Sequence, residues 1–192
     1  MPDAPFALEL TDADKAYMGS LVRTAIEQGL QGKKVHDIKI PDPTSQLQSA
    51  PLGAFVTLKR KGQLRGCIGT VQGSAPLCAT LADMAYASAF RDTRFKPLTP
   101  EEYADVDIEI SIMGPVTKCP GAESILIGRH GLILRRGARS GLLLPQVPVE
   151  LGWDVPAFLE HLCLKAGVPP GSWQEPDAEL YWFEAVRFDL EP

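Results

Sequence analysis

The sequence is poor in the side chains from which metal centres and disulfide frameworks are built. Its 192 residues include 4 cysteines and 3 histidines. The cysteines form no CxxC pair, and the histidines form no HxH or HxxxH pair. Structural zinc sites and disulfide-dense domains depend on such close or repeated spacing. We therefore expect reduced thiols, no metal site and no bound cofactor.

Long apolar runs and an excess of basic charge are also absent. No run approaches the ~18 apolar residues of a membrane-spanning helix. The N-terminal segment MPDAPFALEL lacks the basic and apolar regions of a signal peptide. Both features predict a cytoplasmic protein without membrane attachment. The net charge of -5 makes a nucleic-acid-binding regulator a weak alternative, because phosphate contacts supply most of the affinity of such proteins.

The pattern of apolar residues predicts a mixed fold. Hydrophobic residues make up 45% of the chain, enough for one domain over residues 1–192, and two lobes sharing one core also fit. Helical spacing predicts helices at 12–30 and 77–90, and after Thr99 and Asp154. Strands are predicted at 55–59, 64–70, 106–113, 131–136, 141–144 and 180–188, and a loop with an extended piece at 35–40 is predicted for 33–50. Because there is no regular βα alternation, we predict an α+β fold, an antiparallel or mixed sheet with flanking helices.

The segment LRGCIGT, residues 64–70, is where we place the functional site. Side chains alternate between the two faces of a strand. The pattern predicts a core face and an opposite face, made respectively by Leu64, Gly66 and Ile68 and by Arg65, Cys67 and Gly69. A neighbouring guanidinium favours a thiolate, so Arg65 and Cys67 are candidate catalytic residues. Gly66 and Gly69 are predicted to line a concave binding cleft, because they lack side chains.

Each candidate also has a purely structural interpretation. Cys67 is a packed thiol in that case, since free cysteine is among the most buried residue types. Asp92 and Arg94 either line the cleft beside Arg65 or form a salt bridge at the end of a helix. His130 is either a base for Cys67 or a hydrogen-bonded structural histidine. Gln146 is a further cleft candidate, whose amide is equally suited to binding backbone groups.

The same segments resemble a known family. Residues 53–70, GAFVTLKRKGQLRGCIGT, are similar to the signature of the AMMECR domain family. Further similar segments follow in order, namely Asp92-Thr93-Arg94-Phe95, the strand from Ile108 to Met113, Arg129-His130-Gly131-Leu132, Leu144-Pro145-Gln146-Val147 and Gly152-Trp153-Asp154. Thr93 is a departure, since the family usually has proline there. The resemblance covers nearly the whole chain, which is identified as a member of this family, the group that includes AmmeMemoRadiSam system protein A.

The resemblance implies an α+β domain with a larger and a smaller lobe and a cleft that contains residues 64–70. It also implies a setting, because prokaryotic members occur alongside a Memo-type protein and a radical S-adenosylmethionine (SAM) protein. No settled activity comes with the family. We expect a ligand- or partner-binding protein that acts with those two proteins through the cleft. The alternative is a cysteine-dependent enzyme that uses Cys67 with Arg65.

Overall fold

A computed structural model describes residues 9–190, which fall into two compact units. Of the described residues, the N-terminal unit consists of Glu9–Met113 with 186–190, and the C-terminal unit consists of Gly114–Ala185. Most of MPDAPFALEL, on which the signal-peptide prediction depends, lies outside the described residues. Within residues 9–190, no helix has both the length and the apolar character needed to cross a bilayer.

Helices and antiparallel strands alternate irregularly along the chain. The helices are α1 (Asp12–Leu30), α2 (Gln46–Ser49), α3 (Leu77–Phe90), α4 (Pro100–Tyr103), α5 (Gln146–Leu151) and α6 (Val155–Ala166). The strands are β1 (Leu52–Arg60), β2 (Gln63–Gln72), β3 (Val106–Met113), β4 (Thr117–Lys118), β5 (His130–Arg136), β6 (Arg139–Leu143) and β7 (Ala178–Asp189). The predicted α+β class is confirmed, and the described pairs β1–β2, β1–β3, β4–β7, β5–β6 and β5–β7 are antiparallel.

In the N-terminal unit, β1 lies between β2 and β3. Ala54, Val56 and Leu58 of β1 are fully buried, and their partners on β3 are three buried isoleucines, Ile112, Ile110 and Ile108. Helix α3 packs on β1 and β2, and α1 packs on α3. Complete burial of one such aliphatic side chain contributes roughly 1.5–3 kcal/mol, so this apolar face holds β1 as the central strand.

Helix α1, predicted at 12–30, begins with a capping box formed by Thr11 and Asp14. The amide of Asp14 donates to Thr11 Oγ1 at 3.1 Å, and the Thr11 hydroxyl donates to Asp14 Oδ2 at 2.6 Å. Asp14 also accepts hydrogen bonds from Ser45 Oγ at 2.7 Å and Gln48 Nε2 at 3.0 Å. The bonds from Thr11 and Ser45 are the main reason that the pKa of Asp14 lies below its usual value. This carboxylate therefore ties the segment before β1 to the start of α1.

That segment contains more helical structure than the sequence predicts. The prediction of an extended piece at 35–40 is wrong for its first half, because Val35–Asp37 form a turn of 3-10 helix. Residues 46–49, predicted to be loop, form α2, which Ser45 caps by accepting from the amide of Gln48. A helix this short depends on tertiary contacts, here the bond from Gln48 to Asp14.

The C-terminal unit is built on a second antiparallel group of strands. Strand β5 lies between β7 and β6, and β4 pairs with β7. The strands predicted at 131–136 and 141–144 are confirmed as β5 and β6, which pair as a hairpin, and the helix predicted after Asp154 is confirmed as α6. Phe158, Leu159 and Leu162 of α6 are buried with Leu132 and Leu134 of β5. All three tryptophans, Trp153, Trp173 and Trp182, pack at the margin of this core.

We predict that replacing Asp14 by Asn lowers the free energy of unfolding by about 1–2 kcal/mol. The reason is that an NH2 group, which is a donor, replaces one of the oxygens that accept from Thr11, Ser45 and Gln48. Asp12→Asn, in the same helical turn but fully exposed, is the control and should change it by less than about 0.5 kcal/mol. The folded state lowers the pKa of Asp14, so its stabilisation is present above pH 3.8 and is lost as the pH falls below it. Urea denaturation of both variants across this pH range tests the prediction, which equal losses would contradict.

Candidate functional site

Strand β2, which carries LRGCIGT, lies at one edge of the three strands of the N-terminal unit. Its pairing with β1 contains a β-bulge, since Leu58 faces Gly66 but Lys59 faces Leu64. Arg65 is therefore the extra residue on β2. The bulge shifts the alternation, so the prediction that Leu64 lies on the core face is wrong. Leu64 is 43% exposed and Gly66 is buried.

The side chain of Arg65 leaves the bulge toward α4. Its Nη2 donates to Glu102 Oε2 at 2.7 Å and to the carbonyl of Lys96 at 2.9 Å, and its Nε donates to Glu102 Oε1 at 3.2 Å. This fork is the main reason that the pKa of Glu102 is lowered. The hydrogen bonds found for Arg65 within residues 9–190 thus join it to Glu102 and Lys96, not to the sulfur of Cys67.

Cys67 is held on three sides. Its backbone N–H donates to Asp92 Oδ2 at 2.9 Å, and its carbonyl accepts from Arg94 Nη2 at 3.1 Å. Its Sγ accepts a hydrogen bond from Thr57 Oγ1, its neighbour on β1, at 3.3 Å. The structure therefore brings three predicted site residues, Cys67, Asp92 and Arg94, into direct contact.

Asp92 and Arg94 bind each other as well as β2. Arg94 Nε and Nη2 donate to Asp92 Oδ1 and Oδ2 at 2.9 and 2.7 Å. The Asp92 side chain is 3% exposed, and the hydrogen bonds from Arg94 hold its pKa far below its usual range. The amide of Phe95 donates to the Asp92 carbonyl at 3.0 Å, so the turn closes with Thr93 in place of proline. The pair is both a salt bridge after α3 and a cover for the edge of β2.

The space beside the two glycines is filled. A Cβ atom at position 66 would collide with the carbonyl oxygen of Ser88 on α3. A Cβ atom at position 69 would collide with the ring of Phe55, the facing residue on β1. The glycines therefore permit close packing by a helix and by an aromatic ring, and they do not open the concave space that the sequence suggests.

The other two candidates belong to the C-terminal unit. His130 is 7% exposed, its Nδ1 accepts from the amide of Leu126 at 3.1 Å, and its ring centroid lies 4.2 Å from that of Trp182. Burial lowers the pKa of His130. Gln146 is half-buried and begins α5, a helix that the sequence does not predict. His130 thus has the contacts of a structural histidine, and its catalytic role stays a prediction.

Several residues of the site escape sequence reasoning. Glu102 holds Arg65, Ser88 contacts β2, and Phe95 lies beneath the guanidinium groups of both Arg65 and Arg94, at 5.8 and 5.5 Å from its ring centroid. The capping box formed by Thr99 and Glu102 is visible in the sequence, but it points to a helix start and not to a contact with β2. Within residues 9–190, no group of three or more His, Cys, Asp or Glu side chains is arranged to hold a metal ion.

A second charged group lies on the same face of β1 as Thr57. Glu109 of β3 faces Thr57, and only 8% of its side chain is exposed. Lys59 Nζ binds Glu109 Oε2 at 2.9 Å, and Arg187 lies 3.7 Å from the same oxygen. The bond to Glu109 is the main reason that the pKa of Lys59 is raised. The carboxylate is thus fully paired by two cations.

Comparison with known proteins shows what this chain is related to. The AMMECR1 family profile matches residues 20–188. Protein MK0488 of Methanopyrus kandleri is 45% identical over 193 residues, covering 95% of this chain and 91% of that protein. A protein of Aquifex aeolicus is 41% identical, covering 90% of this chain and 91% of its own length. The crystal structure of uncharacterized protein PH0010 from Pyrococcus horikoshii matches with a TM-score of 0.81 and 40% identity, covering 91% and 90% of the two chains. The chain therefore belongs to the AMMECR1 family.

We predict that Asp92→Asn lowers the free energy of unfolding by about 2 kcal/mol, because the negative charge that pairs with Arg94 is lost and an NH2 group replaces one of the two oxygens that accept from Arg94 and the Cys67 amide. The estimate is below that for a fully buried pair, since the Arg94 side chain is 54% exposed. Asp83→Asn is the matched control, because Asp83 pairs with Arg91 on the surface at 3.8 Å. Denaturant unfolding measures the free energy of unfolding of both variants. An equal loss in the two would show that the contact of Asp92 with β2 does not stabilise the fold.

We also predict that His130 makes stability depend on pH. Its pKa in the folded state is below 6.5, so the unfolded chain takes up a proton first and stability falls as the pH drops below 6.5. Glu184 opposes this shift and Arg129 adds to it. His130→Asn keeps an acceptor for Leu126 without titrating and should flatten the slope. His36 is exposed, so His36→Asn serves as the control. The prediction is refuted if the free energy of unfolding falls by the same amount between pH 7 and 5 in the wild type and in His130→Asn.

Proposed function

We propose that this AMMECR1-family chain is a non-catalytic binding protein that acts with a Memo-type protein and a radical SAM protein. The docking surface in this proposal consists of residues 64–70 and 92–95. The observation that carries it is the occupation of the Cys67 backbone and sulfur by Asp92, Arg94 and Thr57, beside exposed parts of Leu64 and Arg94. These contacts favour a rigid binding surface over a catalytic nucleophile.

The contacts of the thiol favour binding over catalysis. A catalytic cysteine needs an adjacent base or cation that removes the thiol proton or stabilises the thiolate. The hydrogen bond found for Cys67 Sγ comes from Thr57, a neutral hydroxyl. The guanidinium of Arg65, the charge partner expected from the sequence, is bound by Glu102. Arg94 is the cation in contact with Cys67, but it donates to the Cys67 carbonyl and its guanidinium is already paired with the Asp92 carboxylate. The cysteine-dependent enzyme is therefore the weaker proposal.

The exposed part of the surface suits a protein partner. Arg94 is 54% exposed, and its Nε and Nη2 are fixed by Asp92, which leaves Nη1 to donate to a carbonyl or carboxylate of a partner. A guanidinium already held in place loses little side-chain entropy on binding. Leu64, an aliphatic residue, is 43% exposed, and Phe95 is half-buried beside Arg94. Arginine and aromatic residues are enriched at protein interfaces.

The proposal predicts that the purified chain binds the Memo-type protein or the radical SAM protein of the same organism. Leu64→Asp should weaken that binding by about tenfold or more, because it places a charge in the apolar part of the surface. Cys67→Ala should bind within about threefold of wild type, because the backbone contacts of Cys67 remain. Isothermal titration calorimetry with each partner measures both effects.

Lys39→Glu is a suitable control. Lys39 is exposed and lies near Pro41, whose carbonyl accepts the hydroxyl of Tyr17 at 2.6 Å. Tyr17 also lies close enough to Cys78, at the start of α3, for that thiol to help raise the pKa of Tyr17, after burial, whereas Arg94 follows the end of that helix. Wild-type affinity is therefore expected. The proposal fails if the wild-type chain binds neither protein, or if the chain alone converts a metabolite and Cys67→Ala abolishes the reaction.

A further inference from the structure

A serine hydroxyl from α3 enters the ladder between β1 and β2. Val56 and Ile68 face each other across these strands. Ser88 Oγ accepts from the amide of Ile68 at 2.9 Å and donates to the carbonyl of Val56 at 2.7 Å. A regular antiparallel rung joins an N–H of one strand directly to a carbonyl of the other. Here the hydroxyl bridges those two atoms.

This contact is built into the helix packing. Ser88 is 1% exposed, and its own carbonyl occupies the space that a Cβ of Gly66 would need. Serine is neutral to unfavourable inside a helix, so a buried serine there requires a tertiary reason. The two hydrogen bonds to β1 and β2 supply that reason. Gly66 and Ser88 together let the last turns of α3 press against β2.

Two features of β2 flank Cys67. The bulge at Arg65 interrupts the pairing with β1 before Cys67. After Cys67, the Ser88 hydroxyl binds the amide of Ile68 and the carbonyl of Val56, and it lies 3.5 Å from the carbonyl of Ile68. Between them, the N–H and carbonyl of Cys67 turn outward to Asp92 and Arg94. The position of Cys67 relative to Arg94 therefore depends on how far β2 stands from β1 at Ile68.

We propose that Ser88 is a positioning residue for the docking surface. Its hydroxyl spaces β2 from β1 at Ile68 and thereby holds the Cys67 backbone in reach of Asp92 and Arg94. Without the hydroxyl, the Ile68 amide and the Val56 carbonyl pair directly, β2 moves toward β1, and the Cys67 bonds to Asp92 and Arg94 lengthen. The binding consequence rests on the proposed function, whereas the spacing itself does not.

Ser88→Ala tests this proposal, with Thr80→Ala as the matched control. Thr80 is a buried hydroxyl residue of the same helix, and its Oγ1 donates to the carbonyl of Ala75 and not to β2. In Ser88→Ala the amide of Ile68 should stay protected from hydrogen exchange, while that of Cys67 exchanges about tenfold faster. Thr80→Ala should leave the exchange of both amides unchanged. An unchanged Cys67 amide in Ser88→Ala would overturn the proposal.

The binding measurement separates this proposal from the proposed function. Ser88→Ala should weaken binding of the Memo-type or radical SAM protein by about tenfold, with Thr80→Ala near wild type. If the wild-type chain binds neither protein, the proposed function fails while the exchange rates still decide the role of Ser88. If Ser88→Ala does not fold, Ser88→Cys replaces it, because the larger sulfur still separates the strands although a thiol is only a weak donor and acceptor. A wild-type rate of Cys67 exchange in that variant supports the spacing role, and faster exchange overturns it.

Discussion

The arrangement of the N-terminal unit around LRGCIGT depends on the need to satisfy the outward backbone groups of an edge strand. An unpaired N–H or carbonyl shielded from water costs about as much as a lost hydrogen bond, and an uncovered edge invites pairing with other chains. At Cys67 both outward groups are taken, the N–H by Asp92 and the carbonyl by Arg94. These two side chains stand where the next strand of a larger sheet would be, so the turn after α3 and the course of β2 are determined together.

The residues of LRGCIGT acquire separate physical roles in this frame. Arg65 is the bulge residue that reaches α4, Gly66 admits the backbone of α3, and Gly69 lies under the ring of Phe55. Cys67 contributes its backbone to the edge and its sulfur to a hydrogen bond with Thr57. The segment is therefore a packed element that presents Leu64 and Arg94 beside it, which is the property expected of a surface for recognition rather than of an open catalytic pocket.

The same constraint explains why charge is abundant near the site without making it basic. Arg65 is paired with Glu102, Arg94 with Asp92, and Lys59 and Arg187 share Glu109. Each of these four cations has a carboxylate within 4.0 Å, so three carboxylates orient the cations and offset all but one of the four positive charges. The proposed docking of a partner at this surface therefore relies on fixed donors and on shape more than on net charge.

The sequence by itself determined the periodic elements, the α+β class and the family, and it named three candidate residues, Cys67, Asp92 and Arg94, that the structure brings into contact. Helices α1 and α3 and strand β3 follow from local spacing of apolar residues, and Thr11 with Asp14 marks a helix start from four adjacent positions. Only the tertiary structure decided which face Leu64 occupies, what fills the space at Gly66, and where Arg65 and Ser88 bind. The physical reason is distance along the chain: the bulge requires pairing with β1, and the partners Glu102 and Ser88 lie 37 and 20 residues from the atoms they bind. A local pattern predicts which side chains alternate between the faces of a strand, but it does not predict which distant residues contact that strand.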